Sequence, residues 1–268
     1  MNTNIILSYL LIIGGIVVWA LLVPGRKKVP EGLLESVAAF GGAFLLASCF
    51  INLVPHIYVE GFETPRLHVK VGAAVLAGFL IQLLLEYLTN GVEHGHNHCH
   101  CCEEEEEHHH EGHHHEGHCH ENRIHPVAGL IVGLGIHAFL EGMPLVDGDG
   151  EIHRSLLYGI VLHNIPIALV LCTIFMNNRY GLGKSLLLLT LFAVMTPLGS
   201  LCNLYVVQGS PMVESLIMGV VVGILLHVSV SILFDKSHGA FKWWKLLLIV
   251  AAFTAAYFTP GCPEIYPL

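Results

Sequence analysis

Two short segments gather the residue types that hold metal ions, and both lie in otherwise apolar surroundings. The first, GIHAFLEGMP, places His137 and Glu141 four residues apart, a spacing that brings both to one face of a helix. The second, GIVLHNIPIAL, carries His163 and Asn164, with Pro166 just after them. Two imidazole nitrogens and a carboxylate oxygen suit a tetrahedral zinc-like ion bound reversibly, with one position left open for water. Asn164 adds a weaker carbonyl oxygen. One carboxylate neutralises only half the charge of a divalent ion, so this set predicts weaker binding than a site with two. Taken singly, a His137–Glu141 contact or an interior His163 reads as helix packing. Taken jointly they point to a metal.

A third segment, residues 90–123, has a different composition. It reads HGHNHCHCC, then EEEEE, then HHHEGHHHEGHCHE. With almost no apolar residues it cannot bury a core, and it is expected to be disordered when metal-free. His94, His96, His98, Cys99, His100, Cys101, Cys102, His118, Cys119 and His120 are nonetheless imidazole and thiol ligands that a flexible chain can fold around one ion. The tract reads as a metal sensor, buffer or acceptor. Its plain alternative is a solvated polar linker.

The elements that position these residues follow from hydropathy. Hydrophobic residues make up 54% of the 268 and charged ones only 12%, and the mean hydropathy is +0.65, which excludes an ordinary water-soluble domain. Crossing a hydrocarbon layer takes about 20 apolar residues per helix, and eight such runs are present. They extend approximately from Ile5 to Val23, Val37 to Val54, Val71 to Leu88, Pro126 to Val146, Leu156 to Met176, Ser185 to Val207, Val213 to Phe234, and Trp243 to Phe258. Alternating barrel strands are absent, so the spans are expected to be helices that satisfy their own backbone. The first run lacks a basic start and a cleavage site and reads as a retained helix, not a signal peptide.

His137, Glu141 and His163 then fall near the middle of the fourth and fifth spans, where ionisable groups are costly and mark pathways or partners. Pro144 and Pro166 each remove a helical donor and leave backbone oxygens available beside these groups, as in the broken helices of transporters. Weaker pathway candidates are Asn52 and His56 at the outer end of the second span and Glu86 at the inner end of the third. His227 and Ser231, on one face of the seventh, complete that set.

Orientation follows the basic residues. Of the twelve Lys and Arg residues, nine (Arg26, Lys27, Lys28, Arg123, Arg179, Lys184, Lys236, Lys242 and Lys245) fall on one set of alternating loops. Both termini are therefore expected outside the cytoplasm. The net charge of −9 is carried largely by residues 90–123 and gives no reason to expect nucleic acid. Cys49, Cys172 and Cys202 sit singly in apolar spans, so a disulfide framework is not expected.

These residues resemble the ZIP (Zrt/Irt-like) family of divalent metal-ion transporters. The likeness rests on HAFLEG in the fourth span, HNIP in the fifth, FGGAFLLASCFINLVPH in the second, and the His-rich loop between the third and fourth. It implies an all-α, eight-transmembrane-helix bundle in a 3+2+3 arrangement with inverted repeats. Residues 1–89 then form helices 1–3, residues 90–123 the cytoplasmic loop and residues 124–268 helices 4–8, all in one membrane domain. It implies His137, Glu141 and His163 as metal ligands, with Asn164 at the next polar position. Ile167 stands where the family usually has a second glutamate, Ala138 where many members have Asn, and the seventh span has no carboxylate in its core. These departures imply one metal site, not two.

The expected function is transport of a divalent metal ion into the cytoplasm, Zn2+ first, with iron, manganese or cadmium as further candidates. The metal is transported substrate, and the protein is not expected to be an enzyme. Expected partners are divalent metal ions and the lipid bilayer, with a homodimer as a candidate assembly and a bacterial inner membrane as the location. Two alternatives are a metal sensor with a non-transporting bundle and an intramembrane zinc hydrolase. The hydrolase would use His and Glu around zinc to activate water, and no apolar span carries an H-E-x-x-H.

Overall fold

Apolar runs without alternation fold as helices here. The computed structural model describes residues 3–22, 31–61, 67–89, 124–148, 150–177, 180–207, 211–234 and 243–259. Among these the only β pairing is an isolated bridge between Val146 and Ile152. The helices are α1 (Thr3–Leu22), α2 (Glu31–Ser48), α3 (Val54–Gly61), α4 (Leu67–Thr89), α5 (Ile124–Gly142), α6 (Arg154–Asn177), α7 (Leu182–Cys202), α8 (Pro211–Phe234) and α9 (Trp243–Phe258).

Five helical stretches are long and apolar enough to cross a membrane: Gly32–Tyr58, Leu67–Leu88, Arg154–Met176, Leu182–Val207 and Met212–Phe234. Three shorter apolar helices accompany them, Thr3–Val18, Gly129–Leu145 and Trp243–Phe258. The second span is longer at both ends than its apolar run predicts. At its start Glu35 is ion-paired with Lys245 of α9, so a carboxylate is accommodated within the helix. Near its end α2 passes through a π turn, Cys49–Leu53, into α3. There the Val54 N–H donates to the Cys49 carbonyl five residues back, widening the helix just before Pro55, which has no donor to give.

Apolar side chains face outward as well as inward, and some polar ones are buried. Leu7, Leu76, Leu187 and Val206 are more than half exposed, whereas Gln82, His137, Glu141, Thr196 and Ser200 are fully buried. An outward apolar surface, with a few polar side chains buried among the apolar ones inside, is what a lipid solvent permits.

Close helix crossings depend on missing side chains. α4 packs most extensively on α8, and α5 on α7. A Cβ on Gly78 would fall on the Val220 carbonyl oxygen, and one on Gly223 on that of Val75. Gly142 and Gly199 stand in the same reciprocal relation to Thr196 and Phe139. Small residues let helix backbones approach where lipid supplies no hydrophobic drive between them. α2 packs on α6, α8 and α9, and α1 on α6 and α7, with Tyr9 Oη donating to Ser200 Oγ at 2.9 Å.

Candidate metal centre

α5 and α6 carry the candidate ligands to one depth. Eight residues separate His137 from Leu145 at the end of the helical stretch, and nine separate His163 from Arg154 at the start of α6. At 1.5 Å per residue these are about 12 and about 14 Å, so two consecutive helices joined by a short connection present their imidazoles side by side. Between them, His137 Nε2 lies 3.7 Å from Glu141 Oε2, and the His137 and His163 ring centroids are 5.9 Å apart at 74°.

One ligand atom from each of His137, Glu141 and His163 lies within 4.8 Å of the others. A tetrahedral zinc-like ion holds its ligand atoms about 3.3 Å apart, so modest side-chain rotations bring all three onto one ion. All three residues are at most 1% exposed. A buried carboxylate with two imidazoles in an apolar bundle is costly by itself, and a divalent cation offsets that cost directly. Asn164 is equally buried, and neither Nδ2 nor Oδ1 has a hydrogen-bond partner among the described residues, so its amide adds to the polar content of this layer.

Gln82, which the residue types alone did not single out, completes the centre from a third helix. Its Oε1 lies 2.9 Å from His137 Nδ1, both side chains fully buried. An amide oxygen can only accept, so this contact puts the imidazole proton on Nδ1 and leaves Nε2 as the ring nitrogen that could ligate an ion. The available signal was an amide in the apolar run LIQLLLEY, one turn before Glu86. Cys49, read from the sequence as one of several isolated apolar-span cysteines, is also fully buried and within Coulombic reach of Glu141.

Pro166 does free a backbone oxygen, but that oxygen meets a neighbouring helix. The carbonyl it cannot cap is Leu162's, and a Cβ on Gly41 of α2 would lie 3.2 Å from that oxygen. Ile167 and Ala138 are apolar and buried, at 4% and 0% exposure.

The weaker pathway candidates separate into distinct places. Glu86 Oε2 lies 3.4 Å from His227 Nε2, and the Phe79 ring meets His227 edge-on. Gln82 and Glu86 thus sit one turn apart on α4, each facing a histidine of another helix. His56, on α3, packs edge-on against His153, ring centroids 5.1 Å apart. Asn52, in the π turn, and Ser231, one turn beyond His227 on α8, are both half-buried. His153 was not anticipated. It precedes α6 and is 5% exposed; burial, and next the nearby His56, lower its pKa to about 4. Residues 90–123, with all the loop histidines and cysteines from His94 to His120, lie outside the described residues.

The family model described as ZIP Zinc transporter matches residues 3–256. No curated protein matches the chain.

Proposed function

The chain belongs to the ZIP zinc transporter family, whose members move divalent metal ions across membranes, and from that premise we propose that it carries zinc into the cytoplasm through one midplane site. His137, Glu141 and His163 are the ligands and Asn164 an auxiliary oxygen. The observation that carries this reading is the convergence of three buried ligand atoms from α5 and α6 within 4.8 Å.

The site is mononuclear and charge-poor. One carboxylate and two neutral imidazoles leave a bound divalent ion with a net positive charge, which favours release over storage. The buried apolar side chains of Ile167 and Ala138 support a single ion.

All eight apolar helices span the bilayer in this reading, with both termini outside the cytoplasm. The packing pattern supports inverted repeats. Exchanging spans 1, 2 and 3 with 6, 7 and 8, and span 4 with 5, turns the α4–α8 pair into α9–α2, and α1–α6 into α7–α5. All four pairs are in extensive contact. Alternating access then moves one repeat against the other around the fixed site, with the Glu86–His227 pair on the cytoplasmic route and residues 90–123 as a cytoplasmic metal buffer.

The test is zinc uptake by the full chain in sealed vesicles. His137→Ala and Glu141→Ala are each expected to abolish uptake while leaving the protein monodisperse and helical. Undiminished uptake by either variant overturns the site assignment. An intramembrane hydrolase or a non-transporting sensor would leave the sealed vesicles without metal.

A further inference from the structure

A second set of metal-ligand types lines one cavity at the end of the bundle where α3 and α6 begin. We propose that His56, His153, Asp147 and Glu214 form a separate binding site for a divalent transition-metal ion, distinct from the His137–Glu141–His163 centre. Its role as the capture step that feeds the midplane rests on the transport reading above. Its existence as a site does not.

The four side chains come from three stretches of chain and line one small cavity of about 20 Å3 together with Pro144, Asn203 and two apolar side chains of α8. That volume accommodates one water or ion and no organic ligand. His56 and His153 meet edge to face, 5.1 Å between centroids at 64°, so two imidazoles of different elements line the same space.

The segment that bears Asp147 and His153 is held in place by its own backbone. Val146 bridges Ile152, the His153 N–H donates to the Leu145 carbonyl at 3.1 Å, and the Asp147 N–H donates to the Glu151 carbonyl at 3.1 Å. Asn203 Nδ2 donates to the Val146 carbonyl at 3.3 Å, anchoring that turn to the π segment that follows α7. Asp147 uses Oδ1 to accept the Glu151 N–H at 2.8 Å, a contact that fixes the orientation of the carboxylate at the cavity. Glu214 reaches the turn from α8, where a Cβ on Gly148 would lie 2.7 Å from its Oε1, so glycine there makes room for the carboxylate.

Two imidazoles with two carboxylates match zinc-type coordination and offset both charges of a divalent ion. The midplane set offsets only one. Pro144 of the cavity wall is three residues beyond Glu141 in the chain, so one wall of the cavity continues from the helix that carries two of the midplane ligands. A tighter, half-buried site ahead of a weaker, buried one concentrates a scarce ion at the mouth of the pathway.

The test is residue-resolved histidine carbethoxylation of the full chain in nanodiscs, read by mass spectrometry with and without zinc, so that loop histidines do not contribute to the signal. His68, exposed near the start of α4, is the internal reference. With zinc at about ten times its dissociation constant, modification of His56 is expected to slow roughly tenfold by simple occupancy, while His68 is unchanged. The slowing should persist in Glu141→Ala and vanish in the Asp147→Asn/Glu214→Gln double variant, in which the amide oxygen introduced at position 147 still accepts the Glu151 N–H. Equal His56 rates with and without zinc, slowing that His68 shares, slowing that survives in the double variant, or slowing lost in Glu141→Ala would each overturn the proposal. Failure of the transport reading would appear instead as absent uptake with His56 protection intact.

Discussion

Gln82 Oε1 and His137 Nδ1 meet at 2.9 Å inside the bundle, and this contact joins α4 to the proposed metal centre, whose three candidate ligands come from α5 and α6. A ligating histidine is oriented by the partner of its other nitrogen, and losing such a partner costs about 10- to 100-fold in metal affinity or activity. Gln82→Leu keeps the volume and removes the acceptor. It is expected to reduce zinc uptake about 10-fold or more at low zinc, with Gln82→Glu, which retains an acceptor, recovering much of the loss. Uptake by Gln82→Leu equal to that of the parent protein would remove Gln82 from the centre.

Ile167 lies one turn beyond His163 on α6 and is buried, so a carboxylate there would join the layer of His163. Ile167→Glu supplies the second negative charge that the site lacks. At an effective dielectric of about 20, a charge pair at 4 Å is worth about 4 kcal/mol before desolvation is subtracted. A net gain of about 1.4 kcal/mol tightens binding tenfold. The expected result is a KM for zinc lowered about tenfold together with a lower maximal rate, because a neutralised ion leaves more slowly. A raised KM, with the variant still folded, would mean that Ile167 does not face the ion.

The apolar runs and the three candidate ligands were legible in the sequence because hydrocarbon sets a length for each span and makes every buried ionisable group conspicuous. His137, Glu141 and His163 stand out for that reason, and they do converge. Gln82 was less visible because an uncharged amide in an apolar run carries a smaller penalty and its meaning depends on which helix faces it. The His56–His153 contact joins residues almost a hundred positions apart through a turn, and no periodicity encodes that. The extension of α2 past its apolar run was hidden for a related reason: the run begins at Val37, and the ion pair that accommodates Glu35 within the helix is with Lys245, on the last helix of the chain. Pro166 shows the limit of local rules. It frees the Leu162 carbonyl as expected, but the packing of Gly41 decides where that oxygen points.

Acid should destabilise the protein through His153, and the sign follows from its pKa. In the folded chain burial, and then the charge of His56, hold that pKa at about 4, against 6.5 for the free side chain. Above pH 6.5 the imidazole is neutral in both states and folding has no proton linkage through it. As pH falls below 6.5 the unfolded chain takes up a proton that the folded one does not, so stability is lost progressively until about pH 4 and no further below it. The shift corresponds to about 3 kcal/mol over that window. Thermal unfolding of the full chain in nanodiscs, with a chelator present so that no metal competes for the imidazole, measures it. His153→Gln removes the titrating group while keeping a polar side chain, so the parent protein should lose stability more steeply than the variant between pH 6.5 and 4. Parallel curves for the two proteins across that range would show that His153 is not the buried neutral imidazole its surroundings imply.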